Sequence, residues 1–238
     1  MLILIYYKAT SVEYSNTRAK LYPTATARSD LEWIQHIIRE VPNTIPLSPA
    51  VPVDINWWGN ASTSFGVGLV IGRLWGVWKW APGFAVGPKQ KFDIGWAEAI
   101  IVEISLWVAL EYSLIDQLNG VNYLVYSDNI RIVTVTNKGQ SRSHKTNIIL
   151  KHLYLLQAQL GIHLKTVYIP SAKNITDPLS WGDVASFLQA FPLASQRIVI
   201  DLPNHLLSKL ILWYPQYLCL MVQLVHIHWT EPHWVPSS

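Results

Sequence analysis

Short apolar runs separated by small-residue turns occupy residues 53–80, a pattern that predicts three β-strands joined as a meander. The runs cover residues 53–58, 64–72 and 74–80. The second run contains two inner glycines, and the third places Trp78 and Trp80 on one face because strand side chains alternate. The three runs therefore predict the antiparallel half of a sheet.

Helical and strand patterns alternate after the meander. They predict helices at residues 94–118, 129–137, 143–160 and 175–190, and strands at residues 123–127 and 163–169. Gly139 and Gly161 follow the two middle helices, as glycines that end helices do. A meander followed by alternating strands and helices predicts an α/β fold, with a mixed five-stranded sheet and helices on its faces.

Two flanking segments differ from this central part. Ser29-Asp-Leu-Glu32 is a capping-box pattern and predicts a helix that ends near Val41. Four prolines between residues 42 and 52 predict an extended linker. We therefore expect three regions, which are residues 1–50 with the helix and linker, residues 51–192 as the folded domain, and residues 193–238 as an apolar tail.

The tail is apolar from residue 206 to residue 229, which raises the alternative of a membrane span. Polar side chains that are costly in hydrocarbon interrupt it, so we expect no span and favour a segment that once packed on a missing neighbour. His226, His228 and His233 lack an accompanying cysteine or carboxylate pattern, and we interpret them as incidental rather than as metal ligands.

Composition narrows the class of protein. Half of the 238 residues are hydrophobic and 14% are charged, which excludes a disordered chain. The net charge of +3 is compatible with a polyanionic partner. Cys219 is the only cysteine, so the chain forms no internal disulfide, and we expect an intracellular location, cytoplasmic or nuclear. We interpret the 12 tryptophans as core residues rather than base-stacking platforms.

Three acidic residues stand at the ends of predicted elements. Asp128 follows a buried strand, Glu98 lies one turn into a helix, and Asp177 begins the last helix. Each has an ordinary structural explanation, since Asp128 can cap a helix, Asp177 can favour a helix dipole and Glu98 can be solvated. A charged residue directly after a buried strand also lies at the carboxyl edge of the sheet, where α/β folds bind ligands.

In this order, the acidic residues and their neighbours resemble the RNase H domain of reverse-transcriptase polyproteins from fungal retrotransposons. The resemblance covers residues 53–190 and implies an RNase H-like fold. Residues 1–50 look like the end of the preceding reverse transcriptase region, but the Tyr-x-Asp-Asp turn of a polymerase is absent from the sequence. The resemblance rests on Gly59-Asn-Ala-Ser-Thr-Ser-Phe-Gly-Val-Gly68, Asp93-Ile-Gly-Trp-Ala-Glu-Ala99, Tyr126-Ser-Asp-Asn129, Asn137-Lys-Gly139 and Pro170-Ser-Ala-Lys-Asn-Ile-Thr-Asp-Pro-Leu-Ser180.

The family cuts RNA in RNA–DNA hybrids with four carboxylates that hold two Mg²⁺ ions, one activating water and the other stabilising the leaving 3′-oxygen. By resemblance, Glu98, Asp128 and Asp177 fill three catalytic and metal-binding places. Asn60 stands where the first aspartate belongs. Glu103 is the alternative to Glu98, which we prefer because of its distance from the helix start.

Asn60 has lost the negative charge and the second anionic oxygen of the aspartate it replaces. Metal-assisted charge stabilisation is worth several kcal/mol, so we expect a cost of about a thousandfold or more in rate. Asp54, roughly 20 Å upstream along an extended strand, and Asp93 are poor substitutes. Trp181 replaces an arginine that the family usually has after Leu-Ser, so we interpret the chain as a decaying retrotransposon copy.

Basic residues gather around the two helices after Asp128. They form either a solvated helix face or, by resemblance, a surface for the phosphates of an RNA–DNA hybrid, with Ser62 and Asn129 as polar contacts near the cut site. A reverse transcriptase polypeptide is the second partner that the resemblance implies. The basic residues are Arg131, Lys138, Arg142, Lys145 and Lys151.

Two functions of different classes follow. The first is a metal-dependent ribonuclease, impaired by Asn60. The alternative is a non-catalytic nucleic-acid-binding or structural module, like the connection domains of reverse transcriptases. A cleavage assay on a labelled hybrid that compares the chain with Asn60→Asp distinguishes the two, because only the first function predicts partial recovery of cleavage in the variant.

Overall fold

The computed structural model describes residues 24–40, 51–116 and 120–213, and the chain forms two compact units, residues 1–45 and 46–238. The described part of the first unit is helix α1, Ala25–Glu40. The start predicted at Ser29 is wrong, because Thr24 caps the helix by accepting a hydrogen bond from the Ala27 N–H at 3.2 Å. The proline-rich linker falls largely on residues 41–50, which lie outside the described residues, as do Cys219 and the three tail histidines.

The second unit contains the meander and the alternating elements in the predicted order. Its longer elements are β1 Trp57–Ala61, β2 Gly66–Ile71, β3 Leu74–Trp80, α2 Ile94–Glu111, β4 Val121–Ser127, α3 Ile130–Lys138, α4 His144–Leu160 and β5 Ile162–Tyr168. Four-residue α5, Asp177–Ser180, and α6, Val184–Ala190, follow a 3₁₀ turn at Ser171–Lys173. The remaining elements are β6 Gln196–Arg197, α7 Asn204–Leu207 and β7 Leu210–Leu212.

One mixed sheet organises this unit, with strand order β5-β4-β1-β2-β3-β6 and β7 also paired to β3. β1, β2 and β3 are antiparallel neighbours, whereas β4 is parallel to β1 and β5 is parallel to β4. The predicted α/β fold, a mixed sheet with helices, is confirmed. Within the described residues the sheet has seven strands rather than five, because residues 196–197 and 210–212 of the predicted apolar tail pair with β3.

Apolar side chains cover both faces of the sheet. Val67, Leu69 and Ile71 of β2 belong to the core beneath α2, while Val70 faces a second core beneath α5 and α6. This alternation is the two-residue period of a strand that is buried on both sides. Helix α2 is buried over most of its length because it packs between the sheet and α4.

Local backbone geometry explains where the predicted boundaries shift. β1 begins at Trp57 because Asn56, with φ of 55°, interrupts the run that starts at residue 53. The predicted helix at residues 175–190 is two helices, α5 and α6, separated by Gly182 with φ of +81°. A Cβ at Gly182 would lie 2.5 Å from the Phe65 ring, so glycine is required at this turn. Within the described residues, no helix is long and apolar enough to cross a membrane.

Candidate active site

Asn60, Glu98, Asp128 and Asp177 line one open cleft. Asn60 lies near the end of β1 and Asp128 directly follows β4, and these two strands are parallel neighbours. Their carboxyl ends therefore meet at one edge of the sheet. Glu98 enters from the second turn of α2, and Asp177 enters as the first residue of α5. The four residues that the sequence singled out are thus brought together.

Asn60 is buried, at 5% exposure, and both ends of its side-chain amide are engaged. Its Nδ2 donates a hydrogen bond to Asp177 Oδ1 at 2.9 Å and a longer one to Ser180 Oγ at 3.4 Å. Its Oδ1 accepts from the Ala61 N–H at 2.9 Å. An aspartate at this position would instead face the Asp177 carboxylate with a like charge, a contact that requires a cation or a proton.

Gly68 explains how Asp177 comes so close to Asn60. The two residues Gly68 and Asn60 are register partners in the β1–β2 ladder. A Cβ on Gly68 would lie 2.5 Å from Leu179 Cβ and 2.8 Å from Ser180 N. The missing side chain therefore lets α5 approach the sheet and present Asp177 to the cleft.

Glu98 is a buried acid without enough polar partners. It is 3% exposed, and its Oε1 accepts a hydrogen bond from the Ala61 N–H at 3.2 Å. Its Oε2 is buried and has no hydrogen-bond partner among the described residues. Burial, followed by the charge of Asp128, raises the pKa of Glu98 to about 8, against a smaller lowering by the Ala61 hydrogen bond. Without a cation, Glu98 is therefore largely protonated at neutral pH.

The cleft fits one hard divalent cation better than a bridged pair. Glu98 Oε2 has no partner in the part of the chain that the structure describes, and the nearby Asp128 carboxylate supplies a second anionic oxygen donor of the type that Mg²⁺ prefers. Asp177 borders the same cleft, but Asn60 directs an N–H donor at one of its oxygens. Asn60 Oδ1 accepts a hydrogen bond from the Ala61 N–H. Asn60 therefore supplies no anionic oxygen in place of the first carboxylate that the resemblance implies.

The alternative acids lie elsewhere. Glu103 is absent from the cleft lining and contacts His152 and His205 instead. Asp93 caps α2 by accepting from the Trp96 N–H at 2.8 Å. Asp54 accepts from the Tyr126 hydroxyl at 2.6 Å. Neither aspartate is among the residues that line the cleft.

The predicted nucleic-acid contacts divide into three groups. Asn129 and Arg131 line the cleft, with Asn129 Oδ1 capping α3. Lys145 lies beside Lys91, whose backbone carbonyl accepts from its Nζ. Lys138 and Arg142 are exposed beyond the cleft lining, and Lys151 is half-buried.

Ser62 does not suit a contact role. It is 3% exposed, and its hydroxyl donates to the Ser180 carbonyl at 2.6 Å while accepting from the Phe65 and Gly66 N–H groups. The hydroxyl is therefore used inside the fold, and we leave Ser62 out of the contact surface. The serine in this motif therefore stabilises a turn rather than contacting a ligand.

Trp181 lines the cleft and differs from the core tryptophans that the composition predicts. Trp57, Trp78 and Trp96 are buried, as the interpretation of the tryptophans as core residues predicts. Trp181 is 55% exposed and lines the cleft beside Asp177. An aromatic face is therefore available where the resemblance implied an arginine.

Comparison with known proteins adds little to this geometry. No family model matches the chain, and no curated protein matches it. Among solved structures, the chain is similar to the N-terminal RNase H domain of a Mycobacterium tuberculosis protein, solved as a fusion with maltose-binding protein. The identity is 17%, the match covers 59% of this chain and 99% of that one, and the TM-score is 0.36. A superposition this loose carries no weight beside the topology described above.

Proposed function

We propose that this chain is the RNase H-like, nucleic-acid-binding domain of a retrotransposon reverse transcriptase, descended from a two-metal endonuclease and impaired in cleaving RNA. The observation that carries the proposal is the 2.9 Å hydrogen bond from Asn60 Nδ2 to Asp177 Oδ1. It lies among the three retained acids, at the position where the resemblance implies a fourth. The three retained acids support descent from a two-metal endonuclease. The Asn60 amide supports impaired cleavage.

The residues of the cleft would act on the RNA strand of a bound hybrid. Glu98 and Asp128, joined by Asp177, would hold Mg²⁺, which when bound supplies charge stabilisation and an activated water. Asn60 offers a neutral carbonyl that already accepts from Ala61. The chain's own groups therefore bind and orient the strand but lack the anionic bridge, which accounts for a reduced rate.

A basic border next to the cleft supports hybrid binding. Arg131 and Ile94 line the cleft, and Lys91 precedes Ile94 by three residues. Lys145 Nζ lies 5.0 Å from the centre of the Phe92 ring and donates a hydrogen bond to the Lys91 carbonyl, so Lys145 is held beside residues 91–92. Cations in fixed positions bind phosphates independently of sequence and with a strong dependence on salt.

Cleavage of an end-labelled RNA–DNA hybrid tests the proposal. The unmodified chain should cut near background with Mg²⁺ or Mn²⁺, and Asn60→Asp should raise the rate by about 100-fold or more, in line with several kcal/mol of charge stabilisation. The matched control is the double variant Asn60→Asp with Asp128→Asn, which should return to background. Efficient cleavage by the unmodified chain would overturn the role given to Asn60.

A non-catalytic connection-type module is the second candidate, favoured by the same closed contact between Asn60 and Asp177, which needs no metal. In that case Asn60→Asp restores no cleavage, while hybrid affinity is unchanged by Mg²⁺. The unmodified chain then still binds the hybrid, and Lys145→Glu weakens that binding and flattens its salt dependence.

A further inference from the structure

Glu103 of α2, which does not line the acidic cleft, contacts two histidines. His152 on α4 places Nδ1 at 3.4 Å from Glu103 Oε1, and His205 on α7 places Nε2 at 3.0 Å from the same oxygen. The two imidazole rings stand edge to face, with centroids 4.7 Å apart. One ligand atom from each residue lies within 4.8 Å of the other two. Three separate helices thus converge on one small volume.

Three buried polar atoms of this cluster make no well-formed hydrogen bond within the described residues, although both imidazoles contact Glu103 Oε1. Glu103 is 1% exposed, and its Oε2 has no partner within the described residues. His152 Nδ1 and His205 Nε2 are also buried atoms that make no hydrogen bond of acceptable geometry there. Lys209, the nearest cation on the following segment, donates to the His205 backbone carbonyl instead of to the carboxylate. Buried polar atoms without a well-formed hydrogen bond are costly and call for an explanation.

We propose that Glu103, His152 and His205 form a Zn²⁺ site. Zinc takes imidazole nitrogen and carboxylate oxygen at 2.0–2.2 Å, and tetrahedral geometry then separates neighbouring ligand atoms by roughly 3.4 Å. The observed separations of 3.0 and 3.4 Å from Oε1 to the two nitrogens lie close to that value. Three protein ligands leave the fourth position to water, which the partial exposure of both histidines allows.

The ligand chemistry separates this site from the acidic cleft. Imidazole nitrogen suits zinc, whereas Mg²⁺ prefers oxygen donors alone. The zinc would also fasten α7, which lies between the edge strands β6 and β7, to α2 and α4 in the core. Its role would be structural, and it does not depend on the function proposed for the cleft.

Metal content of the full chain tests the site. The purified protein, saturated with Zn²⁺ and desalted, should retain about one ion per chain by mass spectrometry. Glu103→Gln, His152→Ala and His205→Ala should each weaken Zn²⁺ binding by at least about 100-fold, the upper range seen when even outer-shell partners are removed. His144→Ala, at an exposed histidine of the same helix, should leave it unchanged.

Two further variants identify which residues hold the ion. Replacing His226, His228 and His233 together by alanine should leave Zn²⁺ bound, and so should Glu98→Gln. Absence of retained Zn²⁺ in the unmodified chain would overturn the site, as would retention in all three ligand variants.

If a ligand variant does not fold, ¹⁵N NMR of the unmodified chain decides whether the two imidazoles bind Zn²⁺. Zn²⁺ must shift Nδ1 of His152 and Nε2 of His205, and unshifted nitrogens refute the site.

Discussion

Glu98 and Glu103 lie five residues apart on one helix, and both are buried, yet their surroundings are opposite. Glu98 faces Asp128, and burial together with that like charge raises its pKa to about 8. Burial also acts to raise the pKa of Glu103, but the imidazoles of His152 and His205 outweigh it and lower that pKa. Partners rather than burial therefore decide whether a buried glutamate of this helix is charged.

Removing the titratable carboxyl of Glu98 should change the free energy of unfolding strongly. Because the folded-state pKa of Glu98 is raised, the cost of ionising it grows as pH rises from 4.5 towards 8 and is complete above 8. Glu98→Gln should therefore raise the free energy of unfolding by roughly 2–5 kcal/mol at pH 9 and change little at pH 4. Urea unfolding at the two pH values without divalent cations measures this difference.

Glu103→Gln is the matched variant with the opposite sign. Its pKa is lowered, so its ionised form stabilises the fold above pH 4.5, and that stabilisation disappears as pH falls through the folded-state pKa. The glutamine variant should be less stable than the parent at pH 6, with the difference shrinking towards acid. Equal pH profiles for the two variants would contradict the contrast.

The close approach of α5 to the sheet supports a smaller prediction. Gly68→Ala forces a Cβ against Leu179 and the backbone of Ser180, which should cost about 1–3 kcal/mol and lengthen the Asn60–Asp177 contact. Thermal unfolding measures the cost, and the NMR signal of the Asn60 side-chain amide reports the contact. Gly95→Ala is the control, because its Cβ meets nothing closer than 3.5 Å. An undisturbed Asn60 signal in Gly68→Ala would exclude the spacer role of Gly68.

Removing the exposed Trp181 side chain should have a smaller effect, limited to binding in the cleft. Trp181→Ala should weaken hybrid binding by about 1 kcal/mol, the low end of aromatic stacking, since the bases of a duplex are already stacked. Fluorescence anisotropy with a labelled hybrid measures the change. Leu193→Ala removes an exposed apolar side chain outside the cleft and should have no effect. Equal affinities of the Trp181 variant and its parent would remove Trp181 from the contact surface.

The sequence predicts the cleft better than the histidine cluster for a physical reason. Strand and helix periods are local, so the element order follows from them, and parallel neighbours bring Asn60 and Asp128 to one edge. Glu103, His152 and His205 are far apart in the chain and meet only through packing of three helices. No local pattern marks such a meeting.

The sequence does not predict very short strands or side chains whose polar groups are used inside the fold, for related reasons. Strands β6 and β7 have two and three residues, too few to show a period, so the sequence pattern predicts only an apolar tail there. Ser62 carries a motif signal, but its hydroxyl is consumed by the turn before β2. Such uses of a side chain depend on three-dimensional neighbours and are visible only in the folded structure.

We propose that the Asn60 amide stands in the position of an anionic bridge and leaves the cleft able to hold one divalent ion instead of two. Counting bound Mn²⁺ by electron paramagnetic resonance in a Glu103→Gln background, which removes the histidine-bound carboxylate, tests it most directly. The Asn60 chain should bind one ion, and Asn60→Asp should bind two that are magnetically coupled across a bridging carboxylate. Detection of two coupled ions in the Asn60 chain would show that the Asn60 amide does not prevent binding of the second ion.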